Sequence, residues 1–156
     1  MLQQIFDTIH NYFIKEAVVG TYAIADGMIS LPFVQDGQRF WITNSVFNDG
    51  VYTYHEDGIK DDDDAEAAGL KDETWAGTIC ALAVPPAVIA LSSEIKAWVE
   101  ANSEIVNSPF VSENVIGVYS YSRAVSGNGN PGSNAKAVGW QDIFADRLNR
   151  WRKVSL

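Results

Sequence analysis

The chain has 156 residues, 47% of them hydrophobic, 12% aromatic and 20% charged, which excludes a disordered or collagen-like polymer and fits one compact domain. At this length folding removes roughly 70% of the unfolded chain's surface from water, so a core needs no metal or disulfide support; Cys80, the only cysteine, has no partner for an internal bridge. The net charge of −9 is concentrated in residues 55–73, where nine acidic side chains face two lysines, and no basic stripe remains that is broad enough to grip nucleic-acid phosphates.

In chain order, Leu2, Ile5, Phe6, Ile9, Tyr12 and Phe13 recur at helical spacing and predict an amphipathic helix over about 2–16. The N-terminal segment lacks the basic start and apolar stretch of a secretory signal, and no apolar run approaches the ~20 residues that cross a bilayer, so neither export by that route nor a membrane is expected. From residue 18 the period changes. The runs Val18–Ile24, Met28–Leu31, Arg39–Thr43 and Val51–Tyr54 are separated by the turn pairs Asp26-Gly27, Asp36-Gly37, Asp49-Gly50 and Asp57-Gly58, which predicts a small antiparallel β-meander over about 18–56 packed on the helices. Residues 56–69 have no apolar period and read as a solvated acidic loop.

Asp72 is then the expected N-cap of a helix in which Trp75, Ile79 and Leu82 recur. The helix is predicted over about 73–101, broken or kinked near Pro85 and Pro86, continuing with Val88, Leu91, Ile95 and Trp98 and ending at Asn102 and Ser103. Residues 115–125 (VIGVYSYSRAV) alternate and predict a strand or extended arm; 126–134 (SGNGNPGSN) have the composition of a flexible spacer. A last amphipathic helix is predicted over about 140–154, with Trp140, Ile143, Phe144, Leu148 and Trp151 on one face. The fold class is α+β, one domain over 1–156, with a β-rich part at 18–56 and a C-terminal arm and helix at 110–156.

Catalytic chemistry finds little footing. His10 and His55 lie in no recognisable motif, there is no glycine-rich phosphate loop after a strand, no CxxC and no HExxH, and Cys80 sits in an apolar run as a buried, inert thiol. Counting Asp62 as the first position of a calcium loop places Asp64, Glu66 and Glu73 at ligand positions, but Ala67 stands where the sharp turn needs glycine. No spacing sets two carboxylates across a cleft as glycoside hydrolysis requires. Trp41 with Tyr52 and Tyr54 offers either a carbohydrate platform or ordinary packing. Trp140 and Trp151, joined to Arg147 and Arg150, offer either a partner contact or docking within the chain.

The closing pattern, SPFVSENVIGVYSYSRAV followed by a Gly/Asn-rich spacer and GWQDIFADRLNRWRKV, resembles the head-to-tail connector (adaptor or head-completion) proteins of long-tailed phages and prophages of Gram-positive bacteria. The passages FWITNSVFNDGVYTY and LKDETWAGTICALAVPPAVIALSSEIKAW are similar to such chains too, so the resemblance touches most of the sequence. It implies a structural virion protein, made in the host cytoplasm and located at the head-tail junction, without enzymatic activity or cofactor. It further implies self-association into a ring, commonly of twelve subunits, that contacts the portal and the next neck or tail-completion protein, with no specific nucleic-acid or membrane binding. The residues expected at partner contacts are Tyr119, Tyr121, Arg123, Trp140, Phe144, Arg147, Leu148, Arg150, Trp151 and Arg152. The competing readings are a tail-side structural protein of the same virion, a small carbohydrate-binding module and an unrecognised hydrolase.

Overall fold

The structure is a computed structural model that describes residues 1–103 and 139–154. Helix α1 spans Leu2–Ile9 and buries Leu2, Ile5, Phe6 and Ile9 on one face. It is shorter than the helix expected to residue 16, because His10 turns left-handed (φ 53°) and its N–H bonds back to the Phe6 carbonyl. Tyr12 and Phe13 still pack against the core, half-buried and from a loop, with ring centroids 5.6 and 5.8 Å from Phe6. Phe13 is also at φ 53°, its N–H donated to Asn11 Oδ1 at 3.1 Å. A left-handed bulky residue costs on the order of 1–2 kcal/mol. The strand that starts one residue later, with its ladder along β5, offsets that cost.

The strands are β1 (Ile14–Ile24), β2 (Arg39–Thr43), β3 (Gly50–His55), β4 (Gly58–Lys60) and β5 (Glu73–Leu82). They form one antiparallel sheet in the order β1-β5-β2-β3-β4. The expected meander is therefore realised in β2–β3–β4, while β5 separates β1 from β2. The run Met28–Leu31 is not a strand. Asp26 (φ 54°) and Gly27 (φ 73°) close a two-residue turn across which Ala25 and Met28 exchange hydrogen bonds of 3.1 and 3.0 Å. That is the turn an Asp-Gly pair favours, but the chain then leaves the sheet and buries Ile29, Leu31 and Val34 against it.

Residues 73–82 correct the expected first half of the long helix: they form the second strand in the sheet order, flanked on both sides. Trp75, Gly77, Ile79 and Ala81 point to one face, and Thr74, Ala76, Thr78, Cys80 and Leu82 to the other. The spacing of Trp75 and Ile79 fits a helix turn and an alternating strand equally. The branched Thr74, Thr78 and Ile79 and the packed Gly77 favour the strand. Asp72 is correspondingly no N-cap; its carboxylate accepts the Gly27 N–H at 3.3 Å.

Both faces of the sheet are buried where β5, β2 and β3 run together. On one face Val51, Cys80 and Leu82 meet α1, helix α2 (Pro86–Ala101) and the C-terminal helices. On the other, Phe40, Ile42, Trp75 and Ile79 meet Ile29, Leu31, Val34 and Leu70. Burial of each such large apolar side chain contributes about 1.5–3 kcal/mol. The expected interruption at the two prolines is the strand-to-helix junction itself: Pro85 is the extended N-cap and Pro86 the first helical residue. α2 stops at Ala101, with Asn102 Nδ2 donating to the Trp98 carbonyl at 2.7 Å. The helix expected over 140–154 is two short ones, α3 (Trp140–Ile143) and α4 (Ala145–Asn149), broken at Phe144. The arm expected at 115–125, with Tyr119, Tyr121 and Arg123, lies outside the described residues.

Candidate functional site

The C-terminal residues expected at a partner contact are largely used within the chain. Trp140 and Leu148 are buried in one cluster with Leu2, Ile9, Val88 and Ile95. Phe144 meets Trp98 edge-on at 6.4 Å, and Trp151 meets Phe13 at 6.1 Å. Arg147 grips Glu94 of α2 with both guanidinium nitrogens, at 2.5 and 2.9 Å, which lowers the Glu94 carboxyl below its ordinary range and raises Arg147. Two further hydrogen bonds fasten the same corner: the Asn11 side-chain Nδ2 donates to the Trp151 carbonyl (2.9 Å) and the Lys153 backbone N–H to the Ile9 carbonyl (3.0 Å). Of the two readings open for this segment, docking within the chain is the one the structure adopts for Trp140, Phe144, Arg147, Leu148 and Trp151. Arg150 and Arg152 remain exposed.

The acidic stretch is not the solvated loop its composition suggests. Asp62 and Asp63 keep only 15% and 16% of their side-chain surface. Asp62 accepts the Met1 amino group at 2.9 Å and the Gln3 N–H at 2.8 Å, supplying the first turn of α1 with a cap it lacks locally. Asp63 faces Ser92 (3.4 Å) and Lys96 (3.5 Å) of α2. Asp64 accepts from His55 Nε2 at 2.7 Å, and Lys60 lies 3.8 Å away. Of the carboxylates that a calcium loop would converge on one ion, Asp62, Asp64 and Glu73 are thus turned to different partners, the Met1 amino group, His55 and Ser45. Beside this loop, an open depression of about 460 Å³ is lined by Gln4, Asp7, Asp61 and Glu66, carboxylates and amides without a nucleophile-base pair.

His55 also reaches Asp36 at 3.3 Å from Nδ1, so it ties the 31–38 segment to the acidic loop. The hydrogen bond that His55 donates to Asp64 is the main cause of a pKa raised above 6.5; burial opposes it and Asp36 adds to it. A raised folded pKa means that the protonated ring stabilises the fold. This contribution is complete below pH 6.5 and is lost as pH rises through the folded value. The melting-temperature difference between wild type and His55→Gln is therefore expected to shrink with rising pH between about 5 and 9. A difference that grew with pH would contradict the assignment.

Trp41 is not free to form a sugar platform on both faces: Tyr12 stacks on it at 4.1 Å and 13°. Burial there, reinforced by its hydrogen bond to Asp7, pushes the Tyr12 phenol up to about 12. Tyr52 donates its hydroxyl to the Asn48 carbonyl (3.0 Å) and packs on Phe40. The Cys80 thiol is buried and its pKa is raised by that burial, in keeping with an unreactive sulfur.

The feature that sequence reasoning missed is the β2–β3 loop, residues 44–49. Asn48 is 2% exposed, and its side chain bridges both the Lys71 N–H (2.8 Å) and carbonyl (2.9 Å) and the Glu73 carboxylate (2.9 Å). Glu73 further accepts from the Ser45 hydroxyl (2.5 Å) and the Val46 N–H (2.9 Å), and these bonds, Ser45's first, hold its carboxyl below the ordinary glutamate value. Asn44, at φ 62°, is pinned through its N–H to Asp49. Six hydrogen bonds thus fix a loop that turns two apolar side chains outward: Val46 is 81% and Phe47 61% exposed, with the Lys71 ammonium 5.5 Å from the Phe47 ring centre. The signal was present in NSVFND, an apolar pair inside a run of turn-forming residues.

Among the described residues, no His, Cys, Asp and Glu group is placed to hold a metal ion, and no helix is long and apolar enough to cross a membrane. No protein-family model, curated protein or solved structure matches the chain.

Proposed function

We propose that this chain is a structural subunit of a phage or prophage neck, forming an oligomeric ring, of twelve copies in the virion, that joins the portal to the next neck or tail-completion protein and carries out no reaction. The resemblance of FWITNSVFNDGVYTY and of the closing pattern to connector proteins supports this reading. The observation that carries it is the braced 44–49 loop. Exposing Val46 and Phe47 leaves apolar surface in water, and holding them rigid removes in advance the entropy that a flexible loop would lose on binding. An anchor of this kind suits protein-protein docking. The proposed partners are other virion proteins, and neither nucleic-acid nor membrane binding is part of this reading.

The test is electron microscopy of the protein mixed with its portal, and of particles made without it. Rings seated on the portal are expected, with the protein at the neck; label found along the tail would replace the connector by a tail-side protein. Changing Val46 and Phe47 together to serine is expected to leave the melting temperature within a few degrees, since neither is core, while lowering portal or inter-subunit affinity about tenfold or more. Unchanged affinity of the folded double variant would remove this loop from the docking surface.

A further inference from the structure

The two edges of the sheet are finished differently. β4 is three residues long and is followed by the Lys60–Ala67 bridge of the acidic loop. β1 is eleven residues long, paired to β5 from Ile14–Leu82 to Ile24–Glu73, with no described strand on its outer side. On the helix-bearing face, α1, α2 and the C-terminal helices cover Trp41, Val51, Cys80 and Leu82 but stop short of this edge. Ala17, Val19, Thr21 and Ala23 are exposed there beside Thr74 and Ala76, Val19 at 80%. From Ala17 to Ile24 the strand has no charge and no proline. A long, neutral edge with no neighbouring strand among the described residues is what a protein acting alone blunts with lysine, proline or a bulge; here the one register irregularity is at the Ile14/Glu16 end.

Resting on the ring proposed above, we infer that the β1 edge receives residues 115–125 of a neighbouring copy as an added antiparallel or parallel strand. The length matches, eleven residues against eleven, and VIGVYSYSRAV alternates as a strand should. Its first eight residues carry no charge, like Ala17–Ile24. Residues 104–114 precede the segment and 126–138 follow it before Gly139, and at about 3.3 Å per residue an extended connection of either length spans roughly 36–43 Å. Strand addition takes its affinity from main-chain hydrogen bonds and its selectivity from alternate side chains, so it asks only for an extended neutral segment.

The test uses the full-length chain with residues 115–125 replaced by a Gly/Ser stretch of equal length, titrated with a fluorescent peptide of sequence VIGVYSYSRAV. Saturable binding is expected, weakened about tenfold or more by the double change Val19→Lys and Thr21→Lys at unchanged circular dichroism and melting temperature. In unreplaced protein, a Thr21→Cys chain mixed with a Tyr121→Cys chain is expected to give a disulfide-linked heterodimer on oxidation. Absence of peptide binding to the folded acceptor, or binding indifferent to the lysines, would overturn the strand assignment. Cross-links confined to single chains of the doubly substituted protein would assign the edge to the chain's own segment and overturn the exchange. Peptide binding without incorporation at the neck sinks the connector reading alone; incorporation without peptide binding sinks this inference alone.

Discussion

Deleting residues 140–156 is expected to abolish the cooperative thermal transition and to leave an aggregating chain. Trp140 and Leu148 share a buried cluster with Leu2, Ile5, Phe6, Ile9, Val88, Leu91 and Ile95, so removing them uncovers the inner faces of α1 and α2 together. Truncating Leu148 to alanine should alone cost about 2–5 kcal/mol and Trp140 about 3–5 kcal/mol, against a total stability of about 5–15 kcal/mol for a domain of this kind. By contrast Arg147→Ala should change stability little, because both members of its pair with Glu94 are half exposed and screened by solvent. Chemical denaturation of the three single variants checks the ranking. A deletion protein that melts like the full chain would show that the C-terminal helices contribute nothing to the core and return them to the role of a partner contact.

Replacing Gly77 by alanine is expected to be the costliest small change in the sheet. A Cβ at this position would lie 2.5 Å from the Thr43 carbonyl oxygen and 2.7 and 2.9 Å from Nε1 and Cδ1 of Trp75. The same indole donates to Thr43 O at 3.4 Å, so the added methyl pushes apart a hydrogen-bonded pair where β2 leaves β5 for the 44–49 loop. Overpacking of this order costs about 1–3 kcal/mol, and the shift should carry the braced loop with it. Gly58→Ala, which meets nothing within 4 Å, is the control and should change stability little. Equal urea midpoints for the two variants would mean that β2 and Trp75 yield freely at this point.

Local chemistry was readable from the sequence. The apolar face of α1, the two-residue turn at Asp26-Gly27, strands β2 and β3, the helix start at Pro86, its end before Asn102 and the burial of Cys80 each depend on residues within a few positions of one another. The α+β class followed from them. What tertiary structure alone decided involves competition over distance. Trp75 and Ile79 satisfy the helical and the alternating period alike, and the choice falls to the strand because β1 and β2 offer partners on both of its sides. Asp62 looked solvated because the amino group and N–H that it satisfies lie about sixty residues away. The Trp/Arg helix could dock outward or inward by its own pattern, and the cleft formed by α1 and α2 took it inward. Val46 and Phe47 went unmarked for the same reason: their rigidity comes from Lys71 and Glu73, more than twenty residues further along the chain. Apolar periodicity records which side chains seek burial, and only the assembled sheet determines what is left to bury them against.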